Sequence, residues 1–244
     1  MTEKIELLAE LLRGGNVVFF GGAGVSTESG IADFRSESGL YNAQQVYGYP
    51  PEDLISRTFY KKRPELFFKY YRENLVSLAA QPNAAHLALA ELEARGLLHA
   101  VITQNIDGLH QAAGSREVLE LHGSNLRQYC EVCGRQHSLE FVMDCGATVP
   151  RCGCGGTVRP DVVLYEEGLD ADVMARAAQY IAAADTLIVG GTSLVVYPAA
   201  GLLRYFRGKN LVLINKSATS YDASATLVIS EAIGETLAAV MGIL

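Results

Sequence analysis

Short apolar runs alternate along the chain with segments in which apolar residues recur at helical spacing. The runs predict buried strands over residues 17–20, 97–103, 118–121, 162–165, 186–189 and 211–214. The helical pattern predicts helices over residues 4–13, 64–78, 84–95, 170–184 and 231–240. Strands that alternate with helices in this way indicate an α/β protein built on a parallel sheet.

One stretch that interrupts this alternation is residues 36–81. It is rich in tyrosine and phenylalanine and contains the pair Pro50-Pro51. The proline at position 64 suits the first turn of a helix, so we interpret the stretch as a helical insertion.

The first predicted strand runs into a turn of small residues, Gly21-Gly22-Ala23-Gly24. Such a turn lets backbone N–H groups approach a diphosphate closely. Gly22 and Gly24 fit the first two places of the dinucleotide fingerprint, but the third place falls on Thr27. The residues that follow favour turns over a long helix, and Asp33-Phe34-Arg35 then place an acid, an aromatic and a base in a loop. We therefore predict a nucleotide site with a covering loop, and the alternative is a plain structural turn.

Polar or small residues also follow later strands. They are Gln104-Asn105-Ile106-Asp107, Gly190-Gly191-Thr192-Ser193 and Asn215. An open α/β sheet contacts its ligand at the carboxyl ends of its strands, although Asn105 and Asp107 could instead only shape a turn. His122 follows a further apolar run and is a candidate for chemistry, with a hydrogen-bonded structural histidine as the alternative. The remaining histidines, which we interpret as structural, are His86, His99, His110 and His137.

The cysteines cluster in residues 129–156 as a C-x-x-C pair, Cys130 and Cys133, and a C-x-C pair, Cys152 and Cys154. Two such pairs predict a tetrahedral zinc ion held by four thiolates, with no open position for catalysis. A redox C-x-x-C is the alternative, but it leaves the second pair unexplained. Cys145 lies between the pairs and could replace Cys152.

The composition changes this picture little. A chain of 244 residues with 49% hydrophobic and 19% charged residues is typical of a soluble globular protein. A net charge of −7 argues against direct binding of nucleic acid. The first residues resemble an amphipathic helix more than a signal peptide, and no apolar run reaches the roughly 18 residues that span a membrane. Clustered cysteines in odd number suit a reducing compartment, so we expect a cytoplasmic protein with no membrane partner.

Taken together, the motifs resemble those of the sirtuin family of NAD-dependent protein deacylases, in particular bacterial members with little beyond the core. The matching segments are GAGVSTESGIADFR, TQNIDGLHQAAG, ELHGS, the four-cysteine module, RPDVVLYEE, GTSLVVYPAA and LVLIN, in the family's order. The C-x-C pair departs from the family, which more often has C-x-x-C. The resemblance implies a Rossmann-like doubly wound parallel sheet in residues 1–35, 82–121 and 158–244. The helical insertion, 36–81, and a zinc-ribbon module, 122–157, would form a small domain beside it.

The resemblance also implies roles for individual residues. NAD would contact Ala23, Thr27, Phe34, Arg35, Gln104, Asn105, Ile106, Asp107, His122, Thr192, Ser193, Asn215 and Ala232, with Gly22, Gly24 and Gly191 in the two glycine turns. His122 would be the catalytic histidine. An acetyl-lysine protein or peptide would add as a strand between Val163, Leu164 and Tyr165 on one side and Leu194, Val195, Val196 and Tyr197 on the other. One structural Zn²⁺ would be held by Cys130, Cys133, Cys152 and Cys154.

The implied reaction consumes NAD and removes acetyl groups from protein lysines, giving nicotinamide, O-acetyl-ADP-ribose and free lysine. Longer apolar acyl groups are a further class of substrate. Members that prefer succinyl or malonyl groups use a Tyr-x-x-Arg pair, whereas Phe68 and Tyr71 stand at those places here, with Arg72 adjacent. We therefore expect acyl groups without a carboxylate. The alternatives are an NAD-dependent mono-ADP-ribosyltransferase, an NAD-dependent oxidoreductase, and a non-catalytic module that binds ADP-ribose or nucleic acid.

Overall fold

The structure, a computed structural model, describes residues 2–32, 43–146 and 148–244. Its strands are β1 (Val17–Gly21), β2 (Leu98–Thr103), β3 (Val118–Glu120), β4 (Gly123–Cys130), β5 (Gln136–His137), β6 (Val158–Val162), β7 (Thr186–Gly190), β8 (Asn210–Ile214) and β9 (Leu227–Ile229). Six of these strands form the main sheet in the order β3-β2-β1-β7-β8-β9, and every neighbouring pair is parallel. The α/β fold with a parallel sheet is therefore confirmed.

The α-helices lie on both faces of this sheet, in the insertion and in the cysteine-bearing segment. They are α1 (Thr2–Arg13), α2 (Pro51–Leu54), α3 (Arg57–Lys62), α4 (Pro64–Tyr70), α5 (Ala84–Ala94), α6 (Leu109–Ala112), α7 (Leu139–Met143), α8 (Ala171–Ala183) and α9 (Ile233–Met241). Residues 43–47 are also helical. Within the described ranges, none of the helices has the length and apolar character that crossing a bilayer requires.

Alternation along the strands explains why helices cover both faces. Successive residues of a strand point to opposite sides, so Phe19 and Phe20 of β1 enter two different apolar clusters. Helices α1, α5 and α9 cover the face of Phe19, and α8 covers the face of Phe20. The sheet is therefore buried on both faces, which is why its strands are continuous apolar runs in the sequence.

A third apolar cluster joins the helical insertion to the cysteine-bearing segment. Strands β4, β5 and β6 form a separate antiparallel sheet in the order β5-β4-β6. Aromatic side chains of α3 and α4, among them Tyr60 and Phe67, pack in one core with Cys130 and Val158 of that sheet. The ring centroids of Tyr60 and Phe67 lie 4.9 Å apart in an edge-to-face contact. The helical insertion and the cysteine-bearing segment thus share a core, while the exact division into domains stays a prediction.

Two predicted elements differ from those observed. The predicted helix over 64–78 leaves α-helical geometry after Tyr70, and the wider turn Tyr71–Leu75 follows. The strand predicted over 162–165 is wrong, because β6 ends at Val162 and precedes most of that run. The backbone N–H groups of residues 163–165 instead bond to His122, Glu167 and Ile55, and these contacts decide how a peptide could pair with this segment.

Candidate active site

The carboxyl ends of the central strands meet at one edge of the main sheet. Gly21 ends β1 and lies in register with Thr103 of β2 on one side and Gly190 of β7 on the other. The chain passes from β1 to β2 in one half of the sheet and from β7 to β8 in the other, and a crevice at such a switch point is where open α/β sheets bind ligands. A cavity of about 980 Å³ lies at this edge.

Two glycine turns pack directly against each other at the floor of the cavity. The N–H of Gly24 donates to the carbonyl of Gly191 at 2.8 Å. A Cβ on Gly24 would lie 2.7 Å from the Cα of Gly191, and a Cβ on Gly22 would lie 2.8 Å from the Cβ of Thr192. Gly191 itself has φ +59°, a conformation that favours glycine. The contact between the two turns therefore requires glycine at these positions. This is a second reason for glycine, beside the close approach of a diphosphate that the sequence suggests.

The first turn continues as short 3₁₀ segments, Ala23–Val25 and Thr27–Ser29, as its turn-forming residues predict. The carboxylate of Glu28 accepts a hydrogen bond from the N–H of Gly234 at 2.8 Å, at the start of α9. This contact joins the first glycine turn to the helix that follows Ala232. One side chain thus links two segments that are predicted to contact NAD.

A polar network fills the end of β2. The hydroxyl of Ser26 donates to Asp107 Oδ2 at 2.7 Å and accepts from the amide of Asn105 at 3.0 Å. Asp107 Oδ1 also accepts the N–H of Leu109 at 2.9 Å. Ser26 was not predicted as a site residue, because a serine in a glycine- and serine-rich turn carries no distinguishing signal. The network fixes the orientation of both Asn105 and Asp107 toward the cavity wall.

His122 lies between the end of β3 and the start of β4 and is half-buried. Its Nδ1 is 2.8 Å from the carbonyl oxygen of Gln104. A carbonyl can only accept, so Nδ1 carries the proton of the neutral ring and Nε2 carries the lone pair. This arrangement suits a histidine that takes up a proton at Nε2.

Most of the predicted ligand contacts line the same cavity. They are Gly22, Ala23, Gly24, Thr27, Gln104, Asn105, Ile106, Asp107, His122, Val163, Leu164, Tyr165, Gly191, Thr192, Ser193, Val196, Tyr197, Asn215 and Ala232. Leu194 is buried outside the cavity wall, and Val195 is 63% exposed to solvent. Phe34 and Arg35 lie outside the described residues. The sequence therefore locates the cavity well, while the covering loop stays a prediction.

The two segments expected to bind a peptide differ in what their backbones can offer. The N–H groups of Val163 and Tyr165 donate to the carbonyls of His122 and Ile55, and that of Leu164 donates to the carboxylate of Glu167. Along 163–165, within the part of the chain that the structure describes, only the carbonyl of Val163 is left without a partner. Val195, by contrast, has neither its N–H nor its C=O paired within that part. A peptide can therefore pair along Val195 but not along the N–H groups of 163–165.

Phe68 and Tyr71 lie in the third apolar cluster, where both are fully buried. The Tyr71 hydroxyl accepts a hydrogen bond from the amide of Gln128 at 3.1 Å. Neither side chain lines the cavity, and Leu75, Val76 and Leu78 do so instead. Burial raises the pKa of Tyr71 to about 12, so its hydroxyl stays neutral.

Four cysteines form a compact cluster at one end of the small sheet. The sulfur atoms of Cys130, Cys133, Cys152 and Cys154 all lie within 4.8 Å of one another. Two of the sulfur–sulfur distances are 3.5 and 3.8 Å. A zinc tetrahedron with Zn–S bonds of about 2.3 Å has sulfur atoms about 3.8 Å apart, so the cluster fits a zinc ion in spite of its short C-x-C pair.

Contacts within this cluster shift the pKa values of its thiols in opposite directions. A backbone hydrogen bond from Cys133 lowers the pKa of the Cys130 thiol. For Cys154, a backbone hydrogen bond from Gly156 that lowers the pKa of the thiol is outweighed by the side chains of Cys130 and Cys133, which raise it. Cys145 instead donates to the carbonyl of Phe141 at 3.1 Å and is not a member of the cluster. The four cysteines are therefore positioned to bind one zinc ion, while their individual roles as its ligands stay a prediction.

Comparison with known proteins agrees with this geometry. The family model described as "Sir2 family" matches residues 22–198. Proteins named NAD-dependent protein deacetylase are 56% identical in Clostridium acetobutylicum, over 99% of both chains, and 57% identical in Cutibacterium acnes, over 92% of both. A solved structure described as a complex of Sir2, p53 peptide and NAD⁺ is 37% identical, with a TM-score of 0.88 over 98% of both chains. Another, of Sir2Tm bound to a propionylated peptide, is 37% identical with a TM-score of 0.87 over 98% of both.

Proposed function

The chain belongs to the Sir2 family, and we propose that it removes acetyl groups from protein lysines with NAD as a consumed co-substrate. The products are nicotinamide, O-acetyl-ADP-ribose and free lysine. The observation that carries the proposal is that His122, both glycine turns and the two peptide segments border one cavity. A volume of about 980 Å³ is large enough for a dinucleotide and a lysine side chain together.

The residues proposed to bind NAD divide the cavity into regions. Ala23 and Thr27 hold the pyrophosphate, with Gly22, Gly24 and Gly191 keeping the backbone of both turns accessible. Thr192, Ser193, Asn215 and Ala232 contact the adenosine half, and Gln104, Asn105, Ile106 and Asp107 surround the nicotinamide and its ribose. The hydrogen bonds from Ser26 and Leu109 hold the Asp107 carboxylate in place before the ligand arrives. Preorganised polar groups of this kind need no rearrangement when charge develops during the reaction.

Bound NAD supplies the ribosyl group that accepts the acyl oxygen, and its nicotinamide is the leaving group. His122 acts as a general base at Nε2, since Gln104 holds the proton on Nδ1. The apolar wall residues Ile31, Leu75 and Val76 exclude water, which would otherwise compete for the reactive ribose carbon. The described residues therefore supply the base, the orientation and the dry environment that the reaction needs.

We propose that the peptide lies along 194–197 and that its lysine enters beside Val163. The backbone groups of Val195, which are unpaired within the described residues, offer strand-like pairing, and Val163 and Val196 line the same cavity. Acyl groups without a carboxylate suit this cavity, because Lys216 is the single cationic side chain among its described lining residues, whereas Glu52, Glu166 and Glu167 also line it. The buried aromatic pair Phe68 and Tyr71 provides no cation either.

The cysteine cluster holds one structural Zn²⁺ and takes no part in catalysis. All four ligands come from the protein, so the ion stabilises the small sheet through its bonds alone. Thiolates in such a site must remain reduced, which favours a reducing compartment such as the cytoplasm. The acidic net charge of −7 gives no basis for a direct nucleic-acid partner.

The direct test is one incubation of the enzyme with NAD and an acetyl-lysine peptide, in which nicotinamide and free lysine are both measured. We expect equal amounts of the two products and none when NAD is omitted. Reduced NAD among the products would support the oxidoreductase alternative. ADP-ribose attached to protein, with the acetyl group still on the peptide, would support the mono-ADP-ribosyltransferase alternative.

A further inference from the structure

Arg159 and Glu167 form an ion pair against the peptide segment 163–165, which we call the peptide wall; Arg159 is buried, and Glu167 also lines the cavity. The guanidinium contacts both carboxylate oxygens, at 2.7 and 3.0 Å, and the Arg159 side chain is only 6% exposed. Arg159 Nη2 also donates to the carbonyl of Val162 at 2.8 Å, and the guanidinium lies 5.2 Å from the ring centroid of Tyr60. Geometry of this bidentate kind fixes both side chains.

The ion pair also fixes the backbone of the peptide wall. Glu167 Oε2 accepts the N–H of Leu164 at 2.9 Å, and the N–H of Glu167 donates to the carbonyl of Leu164 at 3.0 Å. Burial alone would raise the pKa of Glu167, but the hydrogen bonds from Arg159 and from Leu164 outweigh it and hold that pKa below its ordinary value. The carboxylate therefore stays ionised and keeps both partners.

The pair connects the peptide wall to the sheet that carries the zinc ligands. Arg159 belongs to β6, and its neighbour Val158 lies opposite the zinc ligand Cys130 in the sheet register. At the other end, the N–H of Val163 donates to the carbonyl of His122 at 2.9 Å. A displacement of Leu164 therefore changes the position of the Val163 carbonyl relative to His122.

We propose that Arg159 and Glu167 are positioning residues for the peptide half of the reaction, which fix the peptide wall against His122 from the zinc-bearing sheet. This inference rests on the proposed deacetylase function. Neither residue needs to touch the reacting atoms, because both act through Leu164 and Val163. Loss of the pair should weaken peptide binding by about tenfold and leave NAD binding unchanged, since none of the pair's hydrogen bonds or ion pairs within the described ranges involves a glycine turn.

The test uses variants that separate positioning from folding. Removing one partner would leave the other charge buried and unpaired, which destabilises the fold. Replacing both partners with apolar residues of similar volume is commonly tolerated. The main variant is therefore the double replacement Arg159→Met and Glu167→Leu. Glu167→Gln is the conservative variant, because its amide oxygen can still accept the N–H of Leu164. Arg127→Met is the matched control, since Arg127 of the neighbouring strand β4 is half-exposed and the replacement breaks its ion pairs with Glu120 of β3 and Asp161 of β6.

The measurements are kcat, the KM for an acetyl-lysine peptide, the KM for NAD and the melting temperature. We expect the double variant to fold, with a KM for the peptide about tenfold above wild type and with the KM for NAD and kcat near wild type. Glu167→Gln should have an intermediate KM for the peptide. Arg127→Met should have wild-type values of all three constants. A peptide KM within about twofold of wild type in the folded double variant overturns the proposal, as does an equal rise in both KM values. If the double variant does not fold, an unchanged peptide KM in Glu167→Gln overturns it. A wild-type enzyme that frees no lysine overturns the proposed function instead.

Discussion

His110 is a buried histidine whose charge state links stability to pH. It is 1% exposed, and its ring centroid lies 4.7 Å from that of His86. Burial, and then the neighbouring His86, lower the pKa of His110 from 6.5 to about 3. The folded protein therefore keeps the ring neutral at pH values where the unfolded chain protonates it.

The sign of the effect follows from proton binding. Below about pH 6.5 the unfolded state binds more protons, so the free energy of unfolding falls as the pH is lowered toward about 3. We expect a loss of about 1 kcal/mol from His110 between about pH 7.5 and about pH 5.5, measured by urea unfolding. His110→Gln has no titrating ring and should lose correspondingly less. An equal loss in wild type and variant would contradict this assignment.

Individual residues were predictable from sequence where their neighbours carried a signal. His122, Asn105 and Asp107 stood out because each follows an apolar run, and all three line the cavity. Ser26 did not stand out, because its hydrogen bonds to Asn105 and Asp107 come from a segment remote in sequence. Long-range pairing of this kind leaves no local pattern.

At the scale of elements, helix α5 is tied to the first glycine turn through its N-cap. Asn83 accepts the N–H of Ala85 at 2.9 Å, and its amide donates to the carbonyl of Val25 at 2.8 Å and to the hydroxyl of Ser29 at 3.0 Å. One side chain therefore both begins the helix and holds the segment after the turn.

Replacing this cap should affect more than stability. We expect Asn83→Ala to lower the free energy of unfolding by about 1–2 kcal/mol and to raise the KM for NAD, because the segment Thr27–Ser29 loses its anchor. Asp170→Ala is the matched control, since the Asp170 side chain caps α8 and its hydrogen bonds among the described residues stay within that helix, to the N–H groups of Asp172 and Val173. It should lose about 1 kcal/mol with no change in the KM for NAD. Steady-state kinetics and urea unfolding of both variants decide the point, and equal NAD KM values would refute it.

Strands were predictable from the sequence where burial on both faces makes them continuous apolar runs. The core strands β1, β2, β7 and β8 are apolar on both faces, and their positions were predicted to within one residue. Strand β4 was missed because its polar sequence, GSNLRQYC, has no apolar run. The apolar run over 162–165 predicted a strand, but the carboxylate of Glu167 and the backbone of Ile55 take the N–H groups that a strand would need.

For the whole molecule, the zinc cluster and the helical insertion depend on each other through one core. Cys130 and Cys152 are buried among the aromatic side chains of that core. We expect a chelator that removes zinc to unfold the small sheet and with it α3 and α4, because metal binding contributes folding free energy directly. Amide hydrogen exchange should then rise in these elements and stay low in β1, β7 and β8. Loss of activity with unchanged exchange would instead indicate a catalytic metal.

The overall architecture was predictable because the family motifs and the apolar runs gave the same order of elements. The contacts between distant parts were not predictable, since neither the Glu28–Gly234 bond nor the Arg159–Glu167 pair leaves a periodic signal in the sequence. These contacts nevertheless join the parts of the site into one cavity.

The central claim is that His122 acts as the base within a cavity shared by NAD and the acyl-lysine. The most direct measurement is the rate of lysine release by His122→Ala at saturating NAD and peptide, with the NAD dissociation constant measured on the same preparation. We predict a rate lower by about a hundredfold or more, with NAD binding close to wild type. A rate near that of the wild-type enzyme would contradict the account.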